Sequence, residues 1–201
     1  MLRDWFYMRL FLFLTLLAVE LCAGGSISRC QSYVQDVRRA HWTQFGVDYP
    51  YQYGVGQLVQ ESGCRNVISL DGVGSEGLPQ ITYRLWQKPL KAKGVESIKA
   101  IPDQLKAQAI IMKSVYQPKY GLWATYQVYN GGGLVLKEIN RAGGENWEKA
   151  KAQCRRGQSC FTWKGQRSCR SNCDINYEYS VLVYKYGEKY ATVRSKKYRY
   201  W

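Results

Sequence analysis

A chain of 201 residues with 14% aromatic residues, seven cysteines and a net charge of +14 is long enough for one domain with a proper core and a small appendage. Its aromatic content and lack of low-complexity tracts exclude a disordered chain. The positive charge, where it serves more than solubility, points to an anionic partner: a cell-wall polymer, a membrane surface or a nucleic acid.

Residues 1–25 differ from the rest. Arg3 and Arg9 precede an apolar run over 10–19, and Ala23, Gly24 and Gly25 follow it. That is the basic, apolar, small-residue order of a secretory signal peptide. The run falls short of the roughly 20 residues that cross a bilayer, so a retained signal anchor is the alternative. Cys22 follows bulky Leu21, where a lipoprotein signal carries a small residue, and lipidation is not expected. Removing the segment leaves the charge unchanged, because Asp4 and Glu20 offset the two arginines.

The remaining cysteines are Cys30, Cys64, Cys154, Cys160, Cys169 and Cys173. An even number suits disulfides in an oxidising compartment, and six permit fifteen connectivities. A bond from Cys30 to Cys64 is one of them, and it would tie the first helix to the second. A zinc site is the weaker reading, because the last four cysteines lack the C-x2-C knuckle and the single histidine, His41, is distant in sequence. A disulfide-stapled excursion over residues 141–173 is expected instead.

Beyond the signal, "CQSYVQDVRRAHWTQFGV" has helical apolar spacing, and "DYPYQ" breaks it, with Asp48 a suitable cap and Pro50 suited to a first turn. A second helix is predicted over 51–63; its glycines at 54 and 56 signal close packing. A loop rich in Gly, Asp and Ser follows, turning helical over 78–86, and 88–103 reads as irregular. "DQLKAQAIIMKSVYQPKYG" is the clearest helix, with Asp103 as its cap and Pro118 ending it. "GLWATYQVYNGGG" is a shorter helix stopped by glycines. "NWEKAKAQC" reads as helix. "INYEYSVLVYKYGEKYA" suits a strand by composition and a helix by spacing, and helix is expected. The chain is mainly α, without repeats.

The second helix ends on a carboxylate, Glu61. The helix macrodipole disfavours an acid there, and the apolar residues before it raise its pKa by desolvation. A carboxylic acid kept protonated near neutrality can protonate a glycosidic oxygen. Alone, such a residue is most simply a surface glutamate.

Three further segments follow it in order: "GSEGLPQI" at 74–81, "VYNGGG" at 128–133 and "YEYSVLVYKY" at 177–186. Together with "ES" at 61–62 they resemble the signatures of the lysozyme-like soluble lytic transglycosylases (the SLT family, related to goose-type lysozyme). The likeness spans roughly residues 30–190. It implies a lysozyme-like (SLT) domain over 26–201 carrying the cysteine-rich insertion.

The resemblance makes Glu61 the sole catalytic acid and base. It assigns Ser62 to the substrate's N-acetyl or peptide side, and Gly77, Leu78, Gln80 and Ile81 to the floor of the groove. Tyr129 would brace the acid, Asn130 would contact sugar, and Tyr179 matches the final tyrosine, with Tyr177 its rival. Pro79 stands where the family has Met, and Val128 and Gly131 stand where it has alanines.

The activity implied is non-hydrolytic cleavage of the MurNAc–GlcNAc bond of peptidoglycan, without cofactor or metal. One carboxylate suffices for that route, whereas an ordinary glycosidase needs two. If Asp71 or Glu76 reached the opposite face of the sugar, a hydrolytic goose-type lysozyme would result. A catalytically silent glycan-binding protein is the other alternative. The partners expected are periplasmic glycan strands. Wall opening for a secretion, conjugation or phage assembly would use such a domain, as would wall turnover, and membrane contact would come only through an uncleaved N-terminal segment. The tail "VRSKKYRYW" mixes cations with aromatics as single-strand binders do, yet no nucleic-acid module accompanies it and no nucleic-acid partner is expected.

Overall fold

The structure, a computed structural model, describes residues 25–69, 74–144, 147–155, 157–163, 166–190 and 192–201. The signal segment through residue 24, with Cys22, and also Asp71 lie outside the described residues. Among them are eight helices and one hairpin: α1 Val34–Phe45, α2 Gln52–Ser62, α3 Tyr83–Lys91, α4 Ile101–Ser114, α5 Leu122–Gly131, α6 Gly133–Arg141, α7 Trp147–Ala152, β1 Gln158–Trp163, β2 Gln166–Ser171 and α8 Asn172–Gly187. No helix among them is long and apolar enough to cross a membrane.

Helix α2 is the axis of the fold. Every residue from Gln52 to Val59 is buried, because α2 is covered on opposite sides. A Cβ on Gly54 would stand 2.6 Å from the His41 ring of α1, and one on Gly56 would stand 2.3 Å from the Val183 carbonyl of α8. Only glycine lets backbone approach backbone that closely. Tyr179 reaches the last turn of α2 while Gly187 packs on Tyr53 in its first, so α2 and α8 run antiparallel.

The segment that suited both strand and helix is α8. Tyr177, Ser180, Val183 and Gly187 are buried at helical spacing, and the Ser171 side chain accepts from the Cys173 amide as an N-cap. Several boundaries differ from expectation. The two expected caps do not form: Tyr51 and Ala100 occupy the N-cap positions of α2 and α4, not Asp48 and Asp103. Pro102 sits in the first turn of α4, where a missing N–H costs nothing. Helix α3 begins at Tyr83 rather than near 78 and runs on through Pro89, because residues 77–80 form a turn. Gly132 turns the chain between α5 and α6 and does not end the helical region.

All six cysteines among the described residues pair, as Cys30–Cys64, Cys154–Cys173 and Cys160–Cys169, which removes the zinc reading. Three disulfides fit an oxidising, extracytoplasmic compartment. The excursion holds α7 and the two-stranded antiparallel hairpin, across which Cys160 faces Cys169. The basic tail is no free arm. Tyr198 and Tyr200 are buried, their hydroxyls donating to the carbonyls of Phe45 and Ser180. The amides of Leu122 and Trp123, at the start of α5, donate to the carbonyls of Arg199 and Tyr200.

Candidate active site

Helix α2 ends where Gly63 turns left-handed, at φ 59°. Its amide bonds to the Val59 carbonyl and that of Cys64 to the Leu58 carbonyl, the paired closure of a Schellman end. Arg29 donates to the Gly63 carbonyl at 2.6 Å and Arg65 to that of Ser62 at 3.2 Å, placing two cations on the negative end of the helix. Cys30–Cys64 binds the same end to the preceding segment. Glu61 is therefore rigidly mounted in the last turn of α2.

It opens on a cleft of about 700 Å³. Ser69, Ser75, Gln80 and Thr82 give its lining hydroxyl and amide groups, and Ile81, Leu85 and Trp86 give it apolar surface. Tyr129, Asn130 and the Gly132–Gly133 turn complete the lining. Among the described residues, Glu61 is the only carboxylate lining the cleft.

Burial raises the Glu61 pKa from 4.5 to about 7, against the smaller opposing effect of a hydrogen bond. That bond comes from Tyr179, whose hydroxyl donates to Oε1 at 2.5 Å. The Tyr179 oxygen in turn accepts from the Gln57 amide at 3.1 Å, and the Gln57 carbonyl accepts from Gln108 at 2.8 Å. Gln108 also donates to the Gly54 carbonyl. A buried chain of hydrogen bonds thus runs from α4 through α2 and α8 to the acid. Near pH 7 both protonation states of Glu61 are populated, so one group can give a proton and then take one.

The loop before α3 is held just as firmly. Gly77, at φ 83°, leaves room for Gln104, whose carbonyl accepts from the Leu78 amide at 2.9 Å; a Cβ there would meet it at 2.5 Å. Gln104 donates to the Ile98 carbonyl and to Asn66. Gln80 adopts a left-handed φ of 49°, strained for a non-glycine residue, and its amide donates to the carbonyls of Val67 and Gly77.

Of the residues singled out in the sequence, Glu61, Gln80, Ile81, Tyr129 and Asn130 come together around the cleft. Ser62, Gly77 and Leu78 do not line it. The Ser62 hydroxyl donates to the Leu78 carbonyl at 2.8 Å, joining the end of α2 to the loop. Ser62 is therefore a buttress between the end of α2 and the loop.

Of the two tyrosines, Tyr179 is the one whose hydroxyl bonds to the acid. Tyr129 donates to the Pro79 carbonyl at 3.0 Å and stands beside the acid, and burial first, then the Glu61 charge, holds its pKa well above the usual value. Tyr179 braces the carboxylate, while its rival Tyr177 is wholly buried. Pro79 is buried, and the bond to Tyr129 uses its carbonyl, a group that any residue provides. Gly131 is required where it stands, since a Cβ there would come within 2.5 Å of the Asn176 amide that donates to the Gln127 carbonyl.

Glu76 does not reach the cleft lining, and its carboxylate pairs with Lys99 at 2.6 Å. No group of three potential metal ligands occurs among the described residues. Sequence reading missed Gln57, Gln104, Gln108, Leu85 and Trp86. The one available signal was Gln57, an amide within an apolar run and four residues before Glu61, hence on the same helix face.

Compared with known proteins, the chain matches no protein-family model, no curated protein and no solved structure.

Proposed function

We propose that this protein is a peptidoglycan lytic transglycosylase. The observation that carries the reading is one half-buried glutamic acid, the only carboxylate among the described residues that line a sugar-sized cleft, its pKa raised by desolvation to about 7 and its carboxyl held by Tyr179. The order of motifs along the chain supports it.

In this reading Glu61 protonates the oxygen between N-acetylmuramic acid and N-acetylglucosamine. The bond from the muramoyl C1 to that oxygen breaks, and N-acetylglucosamine leaves with a free 4-hydroxyl. Glu61, now a carboxylate, takes the proton of the muramoyl 6-hydroxyl, whose oxygen bonds to C1 and closes a 1,6-anhydro ring. Proton and bonds balance without water or cofactor. Since Oε1 accepts from Tyr179, Oε2 is the atom that carries the moving proton. Glycan strands of the periplasmic wall are the substrate, and wall opening for an envelope-spanning assembly is a role the activity would serve.

Mass spectrometry of fragments released from purified sacculi tests the reading. Products one water lighter than those of a lysozyme are expected. Ordinary reducing ends would make the protein a hydrolase of the goose-lysozyme type. Binding without soluble fragments would make it a silent glycan binder.

A further inference from the structure

The cleft sits at the C-terminal end of α2. At the other end lies a second concavity of about 540 Å³, and the chemistry above leaves it unused. About 12 Å of helix axis separates Glu61 from Tyr53, which begins its floor.

The floor is aromatic. Tyr53 stacks on Tyr184, with ring centroids 5.7 Å apart, and packs on Tyr200 at 4.5 Å. Trp201 closes one side, 5.0 Å from Tyr200 and 5.6 Å from Tyr184, and is 44% exposed. The Tyr53 hydroxyl is spent on Glu188 and that of Tyr200 on the Ser180 carbonyl; both rings are buried and support half-buried Tyr184 and exposed Trp201.

The rim is cationic and its backbone is fixed. Buried Gln52 pairs with both the amide and the carbonyl of Val193, fastening the tail across the start of α2. Arg194 is neutralised by Glu188 at 2.9 Å. Lys196 and Arg199 are exposed and, among the described residues, make no ion pair. A built hollow of ring faces beneath two unspent cations suits a ligand with flat apolar surface and regularly placed anions.

We propose that this concavity is a second glycan site, one that takes sugar chains bearing carboxylates. Sugar rings would stack on Trp201 and Tyr184, and their carboxylates would pair with Lys196 and Arg199. Single-stranded nucleic acid offers bases and phosphates in the same pattern, but disulfides put the chain where glycans are the abundant polymer. The choice of a sugar chain rests on the reading of the cleft; the shape and charge of the concavity do not.

The test uses the Glu61→Gln protein, so that nothing is cut, and peptide-free glycan strands from amidase-treated sacculi, whose lactyl carboxylates are bare. Lys196→Glu with Arg199→Glu, on exposed side chains, is expected to lower affinity for these strands about tenfold while leaving binding of neutral chito-oligosaccharides unchanged. Trp201→Ala is expected to weaken both. In the background that retains Glu61, the charge reversals should not alter cleavage of a short soluble fragment that fills the cleft alone. Unchanged strand affinity in both variants overturns the site. So does loss of single-stranded DNA binding with strand binding intact. Loss of strand binding in the variants, together with a wild type that releases no fragments, would leave the second site standing and remove the proposed activity.

Discussion

The Gln57 side-chain amide donates to the Tyr179 hydroxyl, 122 residues further along the chain. An amide can only give a proton in that bond, so the Tyr179 oxygen accepts and its own proton points at Glu61. The carboxyl orientation is thereby set by a residue that never meets substrate. Tyr179→Phe removes the donor to Glu61 and strands the Gln57 amide, at a cost of about 1–2 kcal/mol of stability. Because this hydrogen bond lowers the pKa of the acid, the variant should titrate at higher pH than wild type. Carbon-detected NMR of labelled glutamate reads that midpoint, and an unmoved or lower value would refute the role.

Glu61→Gln separates activity from stability. The folded acid keeps its proton up to about pH 7, while the unfolded one loses it near 4.5, so burial costs stability increasingly as pH rises through that window. The glutamine variant should unfold like wild type at pH 4 and be more stable by up to about 3 kcal/mol at pH 8. Denaturant melts at the two pH values measure the difference. Wall-clearing activity in wild type should fall as pH climbs past about 7 and be abolished by the substitution.

His41 has the opposite slope. It is buried against Gly54, its Nδ1 lies 3.0 Å from the Val37 carbonyl, and burial lowers its pKa to about 4. An unfolded histidine gains its proton below 6.5 and the folded one does not, so stability falls by up to about 3 kcal/mol as pH drops from 6.5 toward 4. As the chain's single histidine, its Cε1 proton gives one NMR titration curve. A midpoint near 6.5 would contradict its burial.

The helix contact at Gly56 has no slack. In Gly56→Ala the new methyl meets the Val183 backbone carbonyl at 2.3 Å, and backbone cannot rotate away as a side chain can. Overpacking of this kind costs about 3 kcal/mol. Thermal melts comparing it with an alanine at exposed Gly133 separate a clash from a change in helix propensity.

Helices with an apolar stripe were legible from spacing alone, and the glycines of α2 announced a close contact before its partner was known. The boundaries around residues 77–82 were not. There the backbone conformation is decided by Gln104, which lies over Gly77 from another helix, and no local pattern encodes that bond. The run Gly131–Gly133 read as a stop because glycine ends helices more often than it joins two of them. Gln104 and Gln108 were invisible for a related reason, since an amide is buried only where the fold supplies its partners. In the tail, the mixture of cations and aromatics resembled that of single-strand binders and gave no hint of packing partners, yet Tyr198 and Tyr200 are buried, their hydroxyls bonded to carbonyls of α1 and α8.

The Cys30–Cys64 link closes three residues beyond the acid, on the same helix end that Arg29 grips. In a reducing cytoplasm that link would stay open, and the seat of Glu61 would lack its covalent brace. Oxidation after export would then act as an arming step. If the proposed activity holds, potency would be withheld until the chain had left the compartment in which it was made.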